Sequence, residues 1–205
     1  SLTAVTDFNA RNASALPAFG NLAGCDKQLR FRLLDSGGTV AKSVRALGDL
    51  TSGTDVVIGP GRSSVSTTTA AITGALDIPQ ISYWSTSTDL DDIALYPRFM
   101  RTIPTDQAAA SSVCSFWKRQ LGLSTVAVLY VQDPFGRAYE EATKVACLAL
   151  GLTFASEGFS EDESLREKSI RDAVESLSDS GAKALLVLGF PSSLGLIVDS
   201  ALATG

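Results

Sequence analysis

The stretch from Asp55 to Asp92 constrains the fold more than any other part of the chain. It reads DVVIGPGRSSVSTTTAAITGALDIPQISYWSTSTDLDD: a β-branched run, a glycine turn, a small-residue segment, a second apolar run and a hydroxyl-rich loop. Short β-branched runs are typical of buried parallel strands, and Ser63 and Ser64 stand where a helix N-cap belongs. The pattern predicts a strand–helix–strand unit whose two strands end side by side, at the edge where parallel sheets bind ligands.

The same alternation of strand-like and helix-like segments continues along the chain and predicts an α/β fold with parallel sheets flanked by helices. An outer strand is predicted at Leu29–Leu34. Buried strands are predicted at Val56–Ile58, Gln80–Tyr83, Thr125–Val131 and Ala184–Leu188. Helices are predicted at Val40–Leu50, Ser63–Leu76, Gln107–Leu121, Arg137–Leu150 and Leu165–Leu177, and from Pro191 onwards.

Two lobes are predicted, lobe 1 at 1–102 and lobe 2 at 103–205. The boundary lies near Thr102-Ile103-Pro104, because Pro104 interrupts a helix and biases Ile103 toward extended geometry. The chain begins and ends inside helix-like segments. An incomplete fragment of a longer module is therefore expected.

Composition excludes several classes of function. A net charge of −5 argues against nucleic acids and anionic membrane surfaces as partners. The chain has no histidine, which removes Ser-His-Asp catalysis and His-ligated metals. It has neither a P-loop nor a GxGxxG fingerprint, so no cofactor is expected. Asp89, Asp91 and Asp92 form an acidic cluster that either attracts a cation or begins a helix, and the second reading is the simpler one.

The three cysteines, Cys25, Cys114 and Cys147, have no metal-binding spacing. Cys114 and Cys147 both fall on predicted helices, and Cys114 adjoins an apolar stripe, where a free cysteine behaves as a small hydrophobe. The sequence therefore predicts that these two residues do not form a structural disulfide. No apolar run approaches the ~20 residues of a membrane span.

The motif GPGRSSVS followed by IPQISYWSTSTDL resembles the extracellular ligand-binding region of class C G-protein-coupled receptors. Metabotropic glutamate and type B GABA receptors are closest in pattern. The wider group includes natriuretic-peptide receptors and bacterial leucine/isoleucine/valine-type periplasmic binding proteins. RFMRTIPTD at 98–106 resembles the crossing into the second lobe, and VAVLYVQDPFG at 126–136 resembles that lobe's first strand and ligand-facing turn.

This resemblance implies a periplasmic-binding-protein type I-like module, or Venus flytrap, whose two lobes close on an amino acid or similar small molecule. It also implies a non-enzymatic receptor on the extracellular side of the plasma membrane, joined to the membrane only by segments outside this chain. A receptor dimer is a further implied partner.

The resemblance also assigns ligand-binding residues. Ser63 takes the position that holds the ligand's α-carboxylate, and the hydroxyl of Ser64 adds a donor. The backbone carbonyl of Trp84 and the hydroxyl of Thr86 take the positions that receive the α-amino group. Trp84 replaces a small residue, so its ring either crowds the pocket or packs against the lobe, and Ser85 is an alternative ligand contact.

Phe135 takes the place of the tyrosine that closes over the ligand from the second lobe. It keeps a ring face for an ammonium group and loses the hydroxyl, which Tyr139, one helical turn later, is placed to restore. Arg62 either pairs with a second acidic group of the ligand or is solvated.

Two other readings remain open from the sequence alone. One is a soluble periplasmic solute-binding protein of an amino-acid transporter. The other is an enzyme with a doubly wound fold, which is disfavoured because a nucleophile elbow, histidine, a dinucleotide fingerprint and metal-ligand spacing are all absent.

Overall fold

The computed structural model describes residues 2–22, 24–49 and 53–204, which group into two compact units, 1–35 and 36–205. The first unit holds the short helices α1 (Leu2–Asn9) and α2 (Pro17–Gly20). The side-chain amide of Asn9 donates to the backbone oxygen of Leu29 at 2.9 Å and accepts from its N–H at 2.8 Å.

The outer strand predicted at Leu29–Leu34 is absent from the described residues, and this expectation is wrong. The backbone of Leu29 is bonded to the Asn9 side chain rather than to a neighbouring strand, and Leu33 is 76% exposed. An alternating pattern forms a strand only where a neighbouring strand supplies hydrogen bonds. No such strand is present among the described residues of this unit.

The second unit alternates strands and helices. In chain order these are α3 (Val40–Gly48), β1 (Val57–Ile58), α4 (Ser63–Ala75), β2 (Gln80–Ser82), a 3-10 helix (Thr88–Asp91), β3 (Phe99–Arg101), α5 (Asp106–Arg119), β4 (Thr125–Val131), α6 (Pro134–Ala149), β5 (Thr153–Phe159), α7 (Arg166–Ser178), β6 (Leu185–Leu188) and α8 (Pro191–Thr204). The strands form two separate parallel sheets, ordered β1-β2-β3 and β5-β4-β6. The predicted α/β class, with two parallel sheets flanked by helices, is confirmed. The division at 102/103 remains a prediction.

The first sheet is thin and partly open. Gln80 and Ser82 of β2 are buried, and the buried hydroxyl of Thr73 on α4 donates to the side-chain oxygen of Gln80 at 3.2 Å. The prediction that Val56–Ile58 is a buried strand is wrong, because Ile58 is 62% exposed. β1 pairs only with β2, so it lies at the sheet edge in the described residues, and burial depends on neighbours that a local pattern does not specify.

The second sheet carries most of the apolar core. Its central strand β4 is nearly inaccessible along its length, as the sequence predicts, and separates two clusters of buried side chains. One cluster lies under α7 and α8 and contains Phe159 and Ile170; the other lies under α5 and α6 and contains Trp117. β6 begins at Leu185, which is 41% exposed, so only its C-terminal end is buried.

The prediction of separate thiols in the second unit is also wrong. Cys114 of α5 and Cys147 of α6 form a disulfide, with Cα atoms 5.0 Å apart and both side chains fully buried. The apolar stripe beside Cys114 is the face that packs on α6, and that packing brings the two sulfurs together. Cys25 is a half-exposed free thiol.

Replacing both Cys114 and Cys147 with alanine is expected to lower the free energy of unfolding by about 2–4 kcal/mol, because the bond closes a long loop in the unfolded chain. Urea denaturation measures the change. Cys25→Ala is the matched control and should leave the unfolding midpoint unchanged. Equal midpoints for all variants would show that the disulfide contributes nothing to stability.

Gly136, in the first turn of α6, makes a second test of the packing. A Cβ at this position would stand 2.0 Å from the backbone oxygen of Val131, so an alanine forces the helix away from the end of β4. Gly136→Ala should destabilise the protein by about 1–3 kcal/mol. The control is Gly195→Ala in α8, where a Cβ meets nothing within 4 Å and helix propensity favours alanine. A Gly136→Ala variant as stable as the Gly195→Ala variant would contradict this packing.

Candidate functional site

The glycine turn after β1 and the loop after β2 lie against each other, as parallel strands require. The hydroxyl of Ser82 donates to the backbone oxygen of Pro60 at 2.6 Å, and the hydroxyl of Ser85 donates to the oxygen of Gly61 at 3.0 Å. These bonds join the turn that precedes α4 to the polar loop 83–88. The edge of the first sheet therefore presents one continuous hydroxyl-rich surface.

Ser63 is the first residue of α4 and is 2% exposed. The expectation that Ser63 or Ser64 caps this helix is wrong, because the N-cap residue is Arg62, whose side chain makes no capping bond. The Ser63 oxygen accepts the backbone N–H of Ser87 at 3.3 Å, which leaves its O–H as a donor.

The side chains of Trp84 and Ser85 lie in different environments. The ring of Trp84 is 67% exposed and lies against Gly61, where a Cβ would be 3.5 Å from its Cε3 atom. Ser85 is completely buried, and its hydroxyl is also 2.7 Å from the hydroxyl of Ser66. The Ser85 hydroxyl is thus engaged in holding the loop to α4.

Thr86 and Asp106 meet at the start of α5. The half-buried Thr86 side chain lies beside the Asp106 carboxyl, and the Asp106 N–H donates to the Thr86 backbone oxygen at 3.3 Å. Asp106 is 4% exposed, and its Oδ2 atom has no hydrogen-bond partner among the described residues. Burial raises the pKa of Asp106 to about 6, against the lowering effects of Thr86 and the Arg101 charge.

Sequence reasoning missed Asp106. The segment RTIPTD predicts only a lobe crossing. A usable signal is present: an acidic residue opens a helix soon after a strand, next to strands that end in polar loops. The burial of Asp106 and its unpartnered oxygen depend on tertiary structure.

Arg101, at the end of β3, fixes the loop that carries Thr86. Its guanidinium donates to the backbone oxygens of Ser85 and Ser87, at 3.2 and 2.9 Å, and pairs with the Asp91 carboxylate. Its side chain is only 11% exposed. The charge is therefore used within the fold and is not available to a ligand as a free cation.

The edge of the second sheet lies opposite the start of α4. Asp133 caps α6 by accepting the N–H of Gly136 at 2.9 Å, and the Ser64 side chain and the Arg62 charge lie near the same carboxylate. Burial raises the pKa of Asp133. The guanidinium carbon of Arg62 lies 3.9 Å from the centroid of the Phe190 ring, which follows β6.

Phe135 is half-buried in this edge and makes ring contacts with Tyr139 at 6.1 Å and with Phe190 at 6.0 Å between centroids. Burial raises the pKa of Tyr139, and the negative charge of Asp106 adds to the rise because the two groups lie within electrostatic range. The aromatic group on α6 and the buried carboxylate thus belong to one region.

An open hollow of about 370 Å³ adjoins the Thr86–Asp106 pair. Its walls are formed by the segment 103–106 and the first turns of α5, including Ala108, Ala109 and Ser112. Thr86 is the one predicted ligand-binding residue among its lining residues. A second hollow, of about 270 Å³, lies below the 3-10 helix and is lined by Leu90, Tyr96 and Met100 among others.

Within the described ranges, no group of acidic and cysteine side chains is arranged to hold a metal ion. Among those same residues, no helix is both long enough and apolar enough to cross a membrane.

Comparison with known proteins gives consistent matches. Residues 21–201 match the family described as the receptor family ligand binding region. The chain is 36% identical over 86 residues to G-protein coupled receptor family C group 6 member A of Carassius auratus, which is 42% of this chain and 10% of that protein.

Two further relatives are receptors by name. Metabotropic glutamate receptor-like protein E of Dictyostelium discoideum is 27% identical over 97 residues, covering 47% of this chain and 12% of its own length. Taste receptor type 1 member 3 of Felis catus is 29% identical over 102 residues, covering 50% and 12%. The aligned region is thus about a tenth of the length of each relative. Because the family match covers most of the chain, this chain belongs to the ligand-binding region family of receptors and is related to class C G-protein-coupled receptors.

Proposed function

We propose that the chain forms part of an extracellular receptor region that binds a small molecule with an ammonium group, such as an amino acid, and signals by closing on it. The observation that carries the proposal is the Asp106 carboxylate, which is 4% exposed and has an oxygen without a partner among the described residues. A buried carboxylate costs free energy unless a cation or donors compensate it. An ammonium group bonded to Asp106 and Thr86 supplies that compensation.

The acidic end of such a ligand is assigned to the start of α4. The free N–H groups of a helix N-terminus and its dipole favour an anion, and the Ser63 hydroxyl retains a donor. The backbone oxygen of Trp84 remains a proposed acceptor for the ammonium group. The Ser85 hydroxyl is assigned to the fold, since it is already hydrogen-bonded within it, and the Ser64 hydroxyl remains a proposed additional donor to the ligand.

Phe135 is proposed to cover the ligand from the second sheet, with Tyr139 supplying a hydroxyl nearby. In this scheme 1–102 and 103–205 act as the two lobes, and a ligand that touches both only in the closed form shifts the population toward closure. The names of the three relatives support a receptor rather than a transporter component, and a class C receptor on the plasma membrane is the proposed setting. A receptor dimer remains part of the proposal.

Asp106→Asn separates binding from stability. It keeps the shape of the side chain and removes the charge, so binding of amino acids by the full-length receptor should fall at least tenfold, the equivalent of about 1.4 kcal/mol. Isothermal titration against a panel of amino acids measures the change. Unchanged affinity for every amino acid that binds the parent protein would exclude Asp106 from the site.

The same variant tests the pKa of Asp106 through stability. The carboxyl pKa is 3.8 in the reference state and about 6 in the fold, so its contribution to stability is complete below pH 3.8 and is lost as pH rises through 6. In urea titrations across this range, Asp106→Asn should remove that loss and leave the protein at least as stable at neutral pH. A steeper loss of stability in the variant would contradict the raised pKa.

Ser63→Ala should weaken binding of the ligand's acidic group by about 1.5–3 kcal/mol, the range for a hydrogen bond to a charged partner. Ser85→Ala is the matched control: it leaves the Gly61 and Ser66 oxygens short of a partner, so it should reduce stability and spare affinity. Titration calorimetry and thermal melting distinguish the two effects. Reduced stability with intact affinity in Ser63→Ala would show that this hydroxyl serves only the Ser87 N–H.

A further inference from the structure

One contact connects the start of α4, beside the first sheet, to the edge of the second sheet: the Arg62 guanidinium carbon lies 3.9 Å from the centroid of the Phe190 ring. Arg62 belongs to the turn that follows β1, and Phe190 follows β6. Helix α4 also packs against α6, whose N-cap is Asp133. We propose that the Arg62–Phe190 contact, the Arg62 bridge, holds the two sheets together in the absence of any ligand.

The Arg62 side chain makes its main contact with the Phe190 ring. None of its N–H groups makes a hydrogen bond in the described residues, so the aromatic face is its main close partner, with the Asp133 charge nearby. A guanidinium over a ring is attracted by the negative face of the π-system, and the attraction grows when both groups lose water. Both side chains are half-buried.

The Phe190 ring is held in place by contacts that do not involve Arg62. Phe190 packs against Phe135 and against the apolar core of the second sheet. The helix that follows it, α8, is fixed by hydrogen bonds from Ser192 and Ser193 to the Glu161 carboxylate at the end of β5. Arg62 therefore closes on a preformed surface, and little further ordering of Phe190 is needed.

The Arg62 bridge therefore favours the closed form of the protein over the open form. In a two-state equilibrium between open and closed forms, a contact made only when the sheets meet raises the closed population whether or not a ligand is bound. Residues 36–205 form one compact unit that contains both sheets, as this bridge requires. This bias rests on the proposed closure of the two lobes and holds whatever the ligand is.

The test is the distance between the sheets in the full-length protein without ligand, measured by single-molecule energy transfer. Fluorophores are placed through non-natural side chains at exposed Ala75 on α4 and Ala149 on α6, leaving the cysteines untouched. Arg62→Ala should lower the ratio of closed to open molecules by about two- to thirtyfold, the range of cation–π contacts from exposed to desolvated. Arg62→Lys keeps a cation and should fall between Arg62→Ala and the parent.

Phe190→Leu removes the ring face and keeps apolar volume, so it should lower the ratio by a similar factor. The double variant Arg62→Ala/Phe190→Leu should lower it no further, because the two residues share one contact. Arg98→Ala, which removes an exposed arginine paired with Asp77, is the control and should leave the ratio unchanged.

The proposal is overturned by a parent-like distance distribution in Arg62→Ala, or by effects of Arg62→Ala and Phe190→Leu that multiply in the double variant. If Phe190→Leu fails to fold, the comparison of Arg62→Ala, Arg62→Lys and Arg98→Ala still decides. Failure of the ligand-binding tests on Asp106 and Ser63 leaves this result standing, since no ligand is present in the measurement.

Discussion

Two serine hydroxyls donate to the backbone oxygen of Pro60, and the geometry of the site depends on them. Ser82 of β2 donates at 2.6 Å and Ser66 of α4 at 3.2 Å, which fills the two lone pairs of the carbonyl oxygen. Ser85 of the following loop has a single proton, which it shares between the Ser66 oxygen at 2.7 Å and the Gly61 oxygen at 3.0 Å. These bonds tie together the turn, the helix and the loop that carry Arg62, Ser63 and Thr86.

This arrangement explains why the first sheet can be both thin and well defined. Its sheet has three short strands in the described residues, and its edge strand is exposed. Satisfied buried hydroxyl groups specify one arrangement of the loops where apolar packing is limited. Arg101 adds to this by bonding two carbonyl oxygens of the same loop. The polar surface that we assign to the ligand is therefore held by hydrogen bonds more than by a hydrophobic core.

Local patterns predicted the order of strands and helices, because periodicity and turn residues are local properties. The buried run Thr125–Val131 and the helix that opens at Ser63 are examples. Burial of Val56–Ile58, pairing of Leu29–Leu34 and the disulfide were predicted wrongly, since each depends on which surface meets which. Asp106 was missed for the same reason: its raised pKa and its unpartnered oxygen arise from burial by residues distant in sequence.

The disulfide has a mechanical consequence for the site. Asp106 begins α5 and Phe135 lies in the first turn of α6, and these two helices are the pair that Cys114 and Cys147 join. The cross-link lies 8 residues along α5 from Asp106, a rise of about 12 Å at 1.5 Å per residue. Helices joined in this way keep their relative position, so the Asp106 carboxylate and the Phe135 ring move together whenever these helices move. Reduction of the disulfide would let α5 and α6 slide past each other. The distance between Asp106 and Phe135 would then vary even in a protein that remains folded.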